Sequence, residues 1–495
     1  MKFMVVANRE SMGTPPLRSV SFDQEQLRVS LQEASSRALH YQRNIVACLV
    51  KPVEYFQPIN LFPCLQQCIP GDCFFWTQPS TQTAFIGCGS AAQIETWGAT
   101  RFTETATGWQ TLVEHAVISG APSDTQVRFP LFYGGFSFDV LQPTTPLWEG
   151  FPHGLLILPQ MLFLQEAGQT MVAINILVGP DDDIELHLTQ TQALLERFQA
   201  ALDSHSTRKS MINFSQCMAI HDLRPANEWR ELVGNIVRQI QAGLYQKVVL
   251  ARGVQVTLNP QIQASLDVSQ ILTRLTRSNP GSYIFAIQRG GRCFTGATPE
   301  CLVRIHEGQL STMALAGTAP RGTNELEDEQ IGAELLASAK NQGEHHSVVA
   351  MLQETLLQFC RQVRSGDQRQ LIKLKNVQHL MTPIMGELLA GYSILEVIAH
   401  LHPTPAVGGL PRQTSLQAIR EQEALDRGWY ASPIGWIDAG GGGEFAVALR
   451  SGLIGERDAT LFAGCGIVAA SDPESEYVES CLKLKVMLHG LGWEN

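Results

Sequence analysis

The chain has 495 residues, 44% hydrophobic and 17% charged, with a formal net charge of −11. That length buries a sizeable core, and the acidic balance opposes general nucleic-acid binding, which calls for a basic footprint. No apolar run reaches the roughly 18 residues of a membrane span, and Met1 to Glu10 lacks the apolar segment of a signal peptide, so a cytoplasmic protein with no membrane or nucleic-acid partner is expected.

In chain order, apolar runs at 44–50, 84–87, 154–164 and 170–178 read as strands, and 185–202 carries helical periodicity. Cys64, Cys68 and Cys73 lie close together, yet their irregular spacing and the lack of a second Cys/His pair favour packing over zinc. With eleven scattered cysteines and no secretory signal, reduced thiols are expected. The polar stretch 202–210 reads as a linker and divides the chain into an N-terminal portion, 1–215, and a C-terminal region, 216–495.

Beyond it, Trp229, Leu232, Val233, Ile236, Val237 and Ile240 recur at helical spacing, and Gly243 supplies a stop. Strands are predicted at 247–258, 282–288, 291–296, 301–306, 309–316, 443–453 and 460–468, and helices at 325–338, 345–362, 394–400 and 474–488. Grouped strands with helices between the groups predict an α+β architecture. Gly440 to Gly443 lead into a strand and lack the Lys-Ser/Thr of a phosphate loop, so they read as a connection.

Taken singly, the candidate site residues are bland. Lys247 opens a strand, sharing a face with Val249 and Ala251, and reads as a solvated strand end. Glu300 reads as a turn glutamate after Pro299. Glu476, Glu479 and Lys483 fall on one face of a helix begun by Ser471 or Asp472 with Pro473 near N1, an exposed acidic face. Arg450 sits amid apolar residues and needs a carboxylate, from a ligand or from an internal salt bridge. His345 and His346 are poor ligands for a hard cation.

Together and in order, Tyr245-Gln-Lys-Val-Val-Leu-Ala-Arg252, Ala297-Thr-Pro-Glu300, Leu315-Ala-Gly-Thr318, Glu344-His345, His402-Pro-Thr-Pro-Ala406, Ala448-Leu-Arg450 and Glu476-Tyr-Val-Glu-Ser-Cys-Leu-Lys483 resemble the chorismate-utilising enzymes. This family holds isochorismate, salicylate, anthranilate and aminodeoxychorismate synthases. Phe132 to Asp139 and Leu158 to Leu162 resemble its N-terminal portion. The resemblance implies two large sheets in an orthogonal sandwich with helices outside, both halves forming one unit.

It also implies roles. Lys247 is the base that activates water, which requires a neutral amine, and Glu300 is the acid that protonates the departing 4-hydroxyl. Glu344 and Glu479, with Glu476 through water, hold Mg²⁺. Arg450, Tyr430, Gly317, Thr318, Gly464, Gly466 and Lys483 meet the substrate. His402 matches a pocket histidine, with a structural histidine the equal alternative, and Ala406 lies on the pocket wall.

Asn341 occupies a position that is often charged in the family, which puts a water-mediated metal contact there in doubt. Because anthranilate and aminodeoxychorismate synthases generally lack the lysine, water rather than ammonia is the expected nucleophile. The activity implied is Mg²⁺-dependent isochorismate synthesis for menaquinone or phylloquinone, by a monomer or homodimer without a glutaminase subunit. Salicylate synthase is the runner-up, followed by anthranilate synthase and a non-catalytic chorismate-binding protein. The −11 charge repels a dianion such as chorismate, so local cations have to attract it.

Overall fold

The computed structural model describes residue 17 and residues 19–493 except 70, 124, 167, 205–217, 263, 367–368 and 374–376; the side chains of Thr318, Lys340, Glu344 and Val377 also fall outside the description. Most of the predicted linker lies outside these residues. Its first three residues end the helix Ile184–Ser204.

Two large sheets of 13 and 10 strands carry the fold, and each draws strands from both halves of the chain. In the larger, Cys73–Gln78 pairs antiparallel with Tyr283–Arg289, Phe75 opposite Ala286. In the smaller, Leu131–Phe136 pairs antiparallel with Pro433–Asp438, Gly134 opposite Gly435. The α+β class is therefore as expected, and the boundary near 215 separates two interleaved stretches of sequence.

Side-chain alternation explains the layering. Phe74 and Trp76 enter the core between the sheets, whereas Phe75 between them enters a second core under the helices. Phe285 and Ile287 face inward in the same way, Ile284 and Ala286 outward. Phe74 stacks on Tyr133 of the other sheet at 4.2 Å, and Phe85 meets Trp436 at 4.6 Å. With both faces covered, these strands read as continuous apolar runs, a pattern more usual in parallel sheets.

Helices cover the outer face of the larger sheet. Leu61, Phe62 and Leu65 of Pro58–Cys68 pack there, as do Ile271, Leu272 and Leu275 of Val268–Ser278 and Leu484 and Met487 of Pro473–Gly490. Asp267 caps the second by accepting from the backbone of Ser269 and Gln270, and Asp472 caps the third through Ser475. Among the described residues, no helix is long and apolar enough to cross a membrane.

Three predicted elements divide differently. The run 154–164 is two strands, Gly154–Leu158 in the smaller sheet and Met161–Glu166 in the larger. The run 443–453 likewise breaks into Gly443–Val447 in the smaller sheet and Ser451–Ile454 in the larger. The helix predicted at 345–362 is Ala339–Leu356, and Cys360–Ser365 beyond it is a strand. A further crossing lies between Arg292–Thr298 in the larger sheet and Cys301–His306 in the smaller.

Candidate active site

Two of these crossings lie side by side and place two site residues. Glu300 sits in the crossing after Thr298, and Arg450 in the crossing after Val447. The backbone of Val447 donates to the Glu300 carbonyl at 3.0 Å, and that of Ala297 donates to the Arg450 carbonyl at 3.1 Å. Arg450 takes a left-handed φ of 49°, a conformation that surrounding structure must hold.

Lys247 begins the strand Lys247–Leu258 and is only 9% exposed, so the solvated reading does not hold. Its strand neighbour Asp458–Ile467 supplies two glycines on the same face, Gly466 opposite Val249 and Gly464 opposite Ala251. A Cβ on Gly466 would stand 2.7 Å from Lys247 Cε, and one on Gly464 would stand 3.2 Å from the Tyr430 hydroxyl. These glycines make room for the lysine and the tyrosine. Tyr430 is held by stacking on Phe462 at 5.2 Å.

From the outer helix, Lys483 Nζ donates to the Gly464 carbonyl at 2.7 Å and pairs with Glu479 one turn earlier at 2.6 Å. Lys247, Glu300, Tyr430, Arg450, Glu479, Lys483 and the two glycines therefore form one cluster.

Electrostatics bind the cluster together. Burial raises the Glu300 carboxyl to about 7, against the opposing charges of Lys247, Arg450 and Lys483. Burial also raises the Tyr430 hydroxyl to about 12, with Arg427, Lys483 and Arg450 opposing. Burial disfavours ionisation of Glu479, but Lys483, by charge and hydrogen bond, together with His379 and Arg450, brings it below its ordinary value. Glu476 is raised, first by burial and further by the charge of Glu479, while a hydrogen bond from Ser471 at 2.7 Å opposes this.

One site residue escaped the sequence reading. His379, on the strand Val377–Leu388, is lowered to about 3 by burial, with Arg450 and Lys483 adding and Glu479 and the Gly317 backbone opposing. It is thus a neutral imidazole at the edge of the cluster. The partner strand bulges at Gly317, where φ is 81°, so that Thr318 rather than Gly317 faces His379 in register. The bulge turns the Gly317 backbone toward the imidazole, and Asn341 packs against the same glycine. Alternation along 377–388 gives no hint of it, because Gln378, Leu380, Thr382 and Ile384 form the buried face and His379 lies half-buried on the other.

The remaining candidates divide. Ala406 lies half-buried in the turn Thr404 to Gly408, whose Gly408 carbonyl accepts from the backbone of Val249 at 3.2 Å. That turn walls the start of the lysine strand. His402 is not brought into the cluster. Its Nε2 hydrogen-bonds the Phe138 carbonyl at 3.1 Å, and burial, with Arg101, Arg412 and Arg427 adding, holds it well below its ordinary value. This is the structural alternative. The side chains of Thr318 and Glu344 lie outside the described residues; Glu344 belongs to the helix Ala339–Leu356.

A cation site has a partial donor set. The carboxylates of Glu476 and Glu479 and the Cys465 thiol place ligand atoms within 4.8 Å of one another. The two carboxylates fit a hard cation such as Mg²⁺, the soft sulfur does not. A cation there would relieve the repulsion that helps raise Glu476. Among the described residues, no three of the early cysteines converge in this way.

The chain belongs to the chorismate binding enzyme family, whose profile matches residues 31–492. It is 35% identical over 475 residues to isochorismate synthase MenF of Bacillus subtilis, covering 95% of this chain and 98% of that one. It is also 35% identical over 466 residues to the salicylate biosynthesis isochorismate synthase of Pseudomonas aeruginosa, covering 94% of each. In fold it resembles the menaquinone-specific isochorismate synthase MenF from Escherichia coli, with a TM-score of 0.75 at 24% identity, covering 94% of this chain and all of that one.

Proposed function

We propose that the protein is an isochorismate synthase that interconverts chorismate and isochorismate. The observation that carries this reading is the buried pair of Lys247 and Glu300, the latter raised to about 7. An acid with a pKa near the working pH is present in its protonated form and still transfers a proton readily.

In the forward direction Lys247 removes a proton from water as its oxygen bonds to ring carbon 2. The ring double bonds shift, the bond from carbon 4 to its hydroxyl breaks, and Glu300 donates the proton that makes the leaving group water. One water enters and one leaves, so the product is an isomer. Arg450 and Lys483 bind the carboxylates, and Arg450 offers a planar fork suited to one of them. The neutral ring of His379 and the Tyr430 hydroxyl complete the wall without adding charge.

Glu476 and Glu479, with Glu344 from the helix Ala339–Leu356, are the residues that would hold Mg²⁺. When bound, the ion supplies positive charge against the substrate's ring carboxylate. Water as nucleophile needs no glutaminase partner. The same reading assigns the product to menaquinone or phylloquinone synthesis.

A second reading, salicylate formation, adds elimination of pyruvate at the same site. Likeness over 94% of the chain to a synthase named for salicylate biosynthesis favours considering it. The test is chromatography of products from chorismate, with and without Mg²⁺ and ammonium. Isochorismate at equilibrium with chorismate, indifferent to ammonium and lost in Lys247→Ala, supports the proposal. Salicylate with pyruvate moves the protein to the second reading, anthranilate removes Lys247 as the water base, and unreacted chorismate leaves a binding protein.

A further inference from the structure

Beside the catalytic cluster lies a cavity of about 280 Å³ between the outer helix Pro473–Gly490 and the turn Ser278 to Ser282. It shares Arg450 and Lys483 with the cluster. Among the described residues 13 line it, four of them cationic and none acidic, an unexpected lining on a chain of net charge −11. The two further cations are Arg321 and Lys373.

Both are held by one buried carboxylate outside the lining. Asp328 accepts from Arg321 Nε at 2.6 Å and Nη2 at 2.9 Å, from Lys373 Nζ at 2.7 Å and from the Gly322 backbone at 3.0 Å. The hydrogen bonds from Arg321 and Lys373 are the largest causes of its lowered pKa. Asp328 offsets one of the two further cations, so Arg321 and Lys373 together add one net positive charge beside Arg450 and Lys483.

We infer that this cavity is the vestibule through which the dianionic substrate reaches the site, with Arg321 and Lys373 concentrating it there. The inference rests on the proposed activity. Lining one opening with cations solves a physical problem, because a strongly acidic protein repels a dianion at long range, while a local positive potential raises its concentration where it enters. Asp328 preorganises the two side chains, so that neither has to be immobilised by the arriving substrate. The term acts on encounter and is screened by salt, whereas Lys247 and Glu300 act on the bond changes and are not.

The experiment measures kcat and KM for chorismate from about 20 mM to about 0.5 M salt in the wild type, Lys373→Gln and Lys373→Arg. Lys373→Gln is expected to lower kcat/KM about 3- to 10-fold at low salt, with kcat unchanged. It also flattens the salt dependence, so that the variants converge at high salt, and Lys373→Arg restores both. A Gln variant with the wild-type salt slope overturns the vestibule. So does a fall in kcat of equal size at every salt concentration, the sign of a structural defect. Absence of chorismate turnover in the wild type removes the proposed activity and the vestibule with it, an outcome distinct from turnover with an unaltered slope.

Discussion

Glu300 is only 8% exposed, and its burial opposes ionisation. The folded carboxyl titrates at about 7 instead of 4.5, so the folded state carries no penalty below the lower value and the whole penalty above the higher one. That shift corresponds to a destabilisation on the order of 3 kcal/mol at alkaline pH. Glu300→Gln is therefore expected to abolish turnover yet raise the free energy of unfolding in urea at pH 8, with no gain at pH 4. An equal gain at both pH values would contradict the buried-acid account. Glu300 was legible because Pro299 and the flanking residues form a recognisable string. His379 was not, since its place in the site depends on Arg450 and Glu479, both distant in sequence. His402 shows the converse: a distinctive local motif whose histidine serves packing.

At the scale of elements, the lysine strand is held by a device that alternation does not reveal. Met218–Asp222 pairs with its far end, and Gly409–Leu410 with its first two residues. Between them, the Val249 carbonyl accepts from Arg427 at 2.7 Å and the Ala251 backbone donates to Glu423 at 2.7 Å. Arg427 also donates to the Val407 carbonyl at 3.1 Å and pairs with Glu423 at 2.5 Å, both side chains essentially unexposed. A buried ion pair thus takes the place of a strand neighbour and ties the wall turn to the lysine strand.

Removing one partner leaves a buried uncompensated charge. Arg427→Leu is expected to destabilise by about 3–5 kcal/mol. The double variant with Glu423→Leu should lose less than the sum of the two single changes. Additive losses in a urea double-mutant cycle would show that the two act separately. The sheet crossings were equally hidden, because apolar alternation looks the same whichever sheet a strand joins. Gly440 and Gly442, by contrast, serve a tight turn as expected, their backbone groups donating to Asp438 at 2.8 and 3.0 Å.

At the scale of the whole molecule, the two halves cannot separate without exposing strand edges and the inter-sheet core. Tyr283–Arg289 would lose Cys73–Gln78 from one edge, and Trp436 would lose Phe85. A fragment covering 216–495 is therefore expected to show no cooperative thermal transition by near-ultraviolet circular dichroism. A sharp transition would mean that the C-terminal sheet closes on itself.

The sequence by itself determined the α+β class and the family, and it offered the candidate site residues: Lys247, Glu300, Arg450, Glu479 and Lys483 stand in short strings whose residue types and order are informative wherever the chain places them. The tertiary structure alone decided how those parts meet. Which sheet receives each strand, where Glu300 and Arg450 cross side by side, why His379 joins the site and His402 does not, and which cations line the opening all depend on pairings between segments far apart in the chain. Such pairings are chosen by complementarity over the whole core, and no local window of sequence contains both partners.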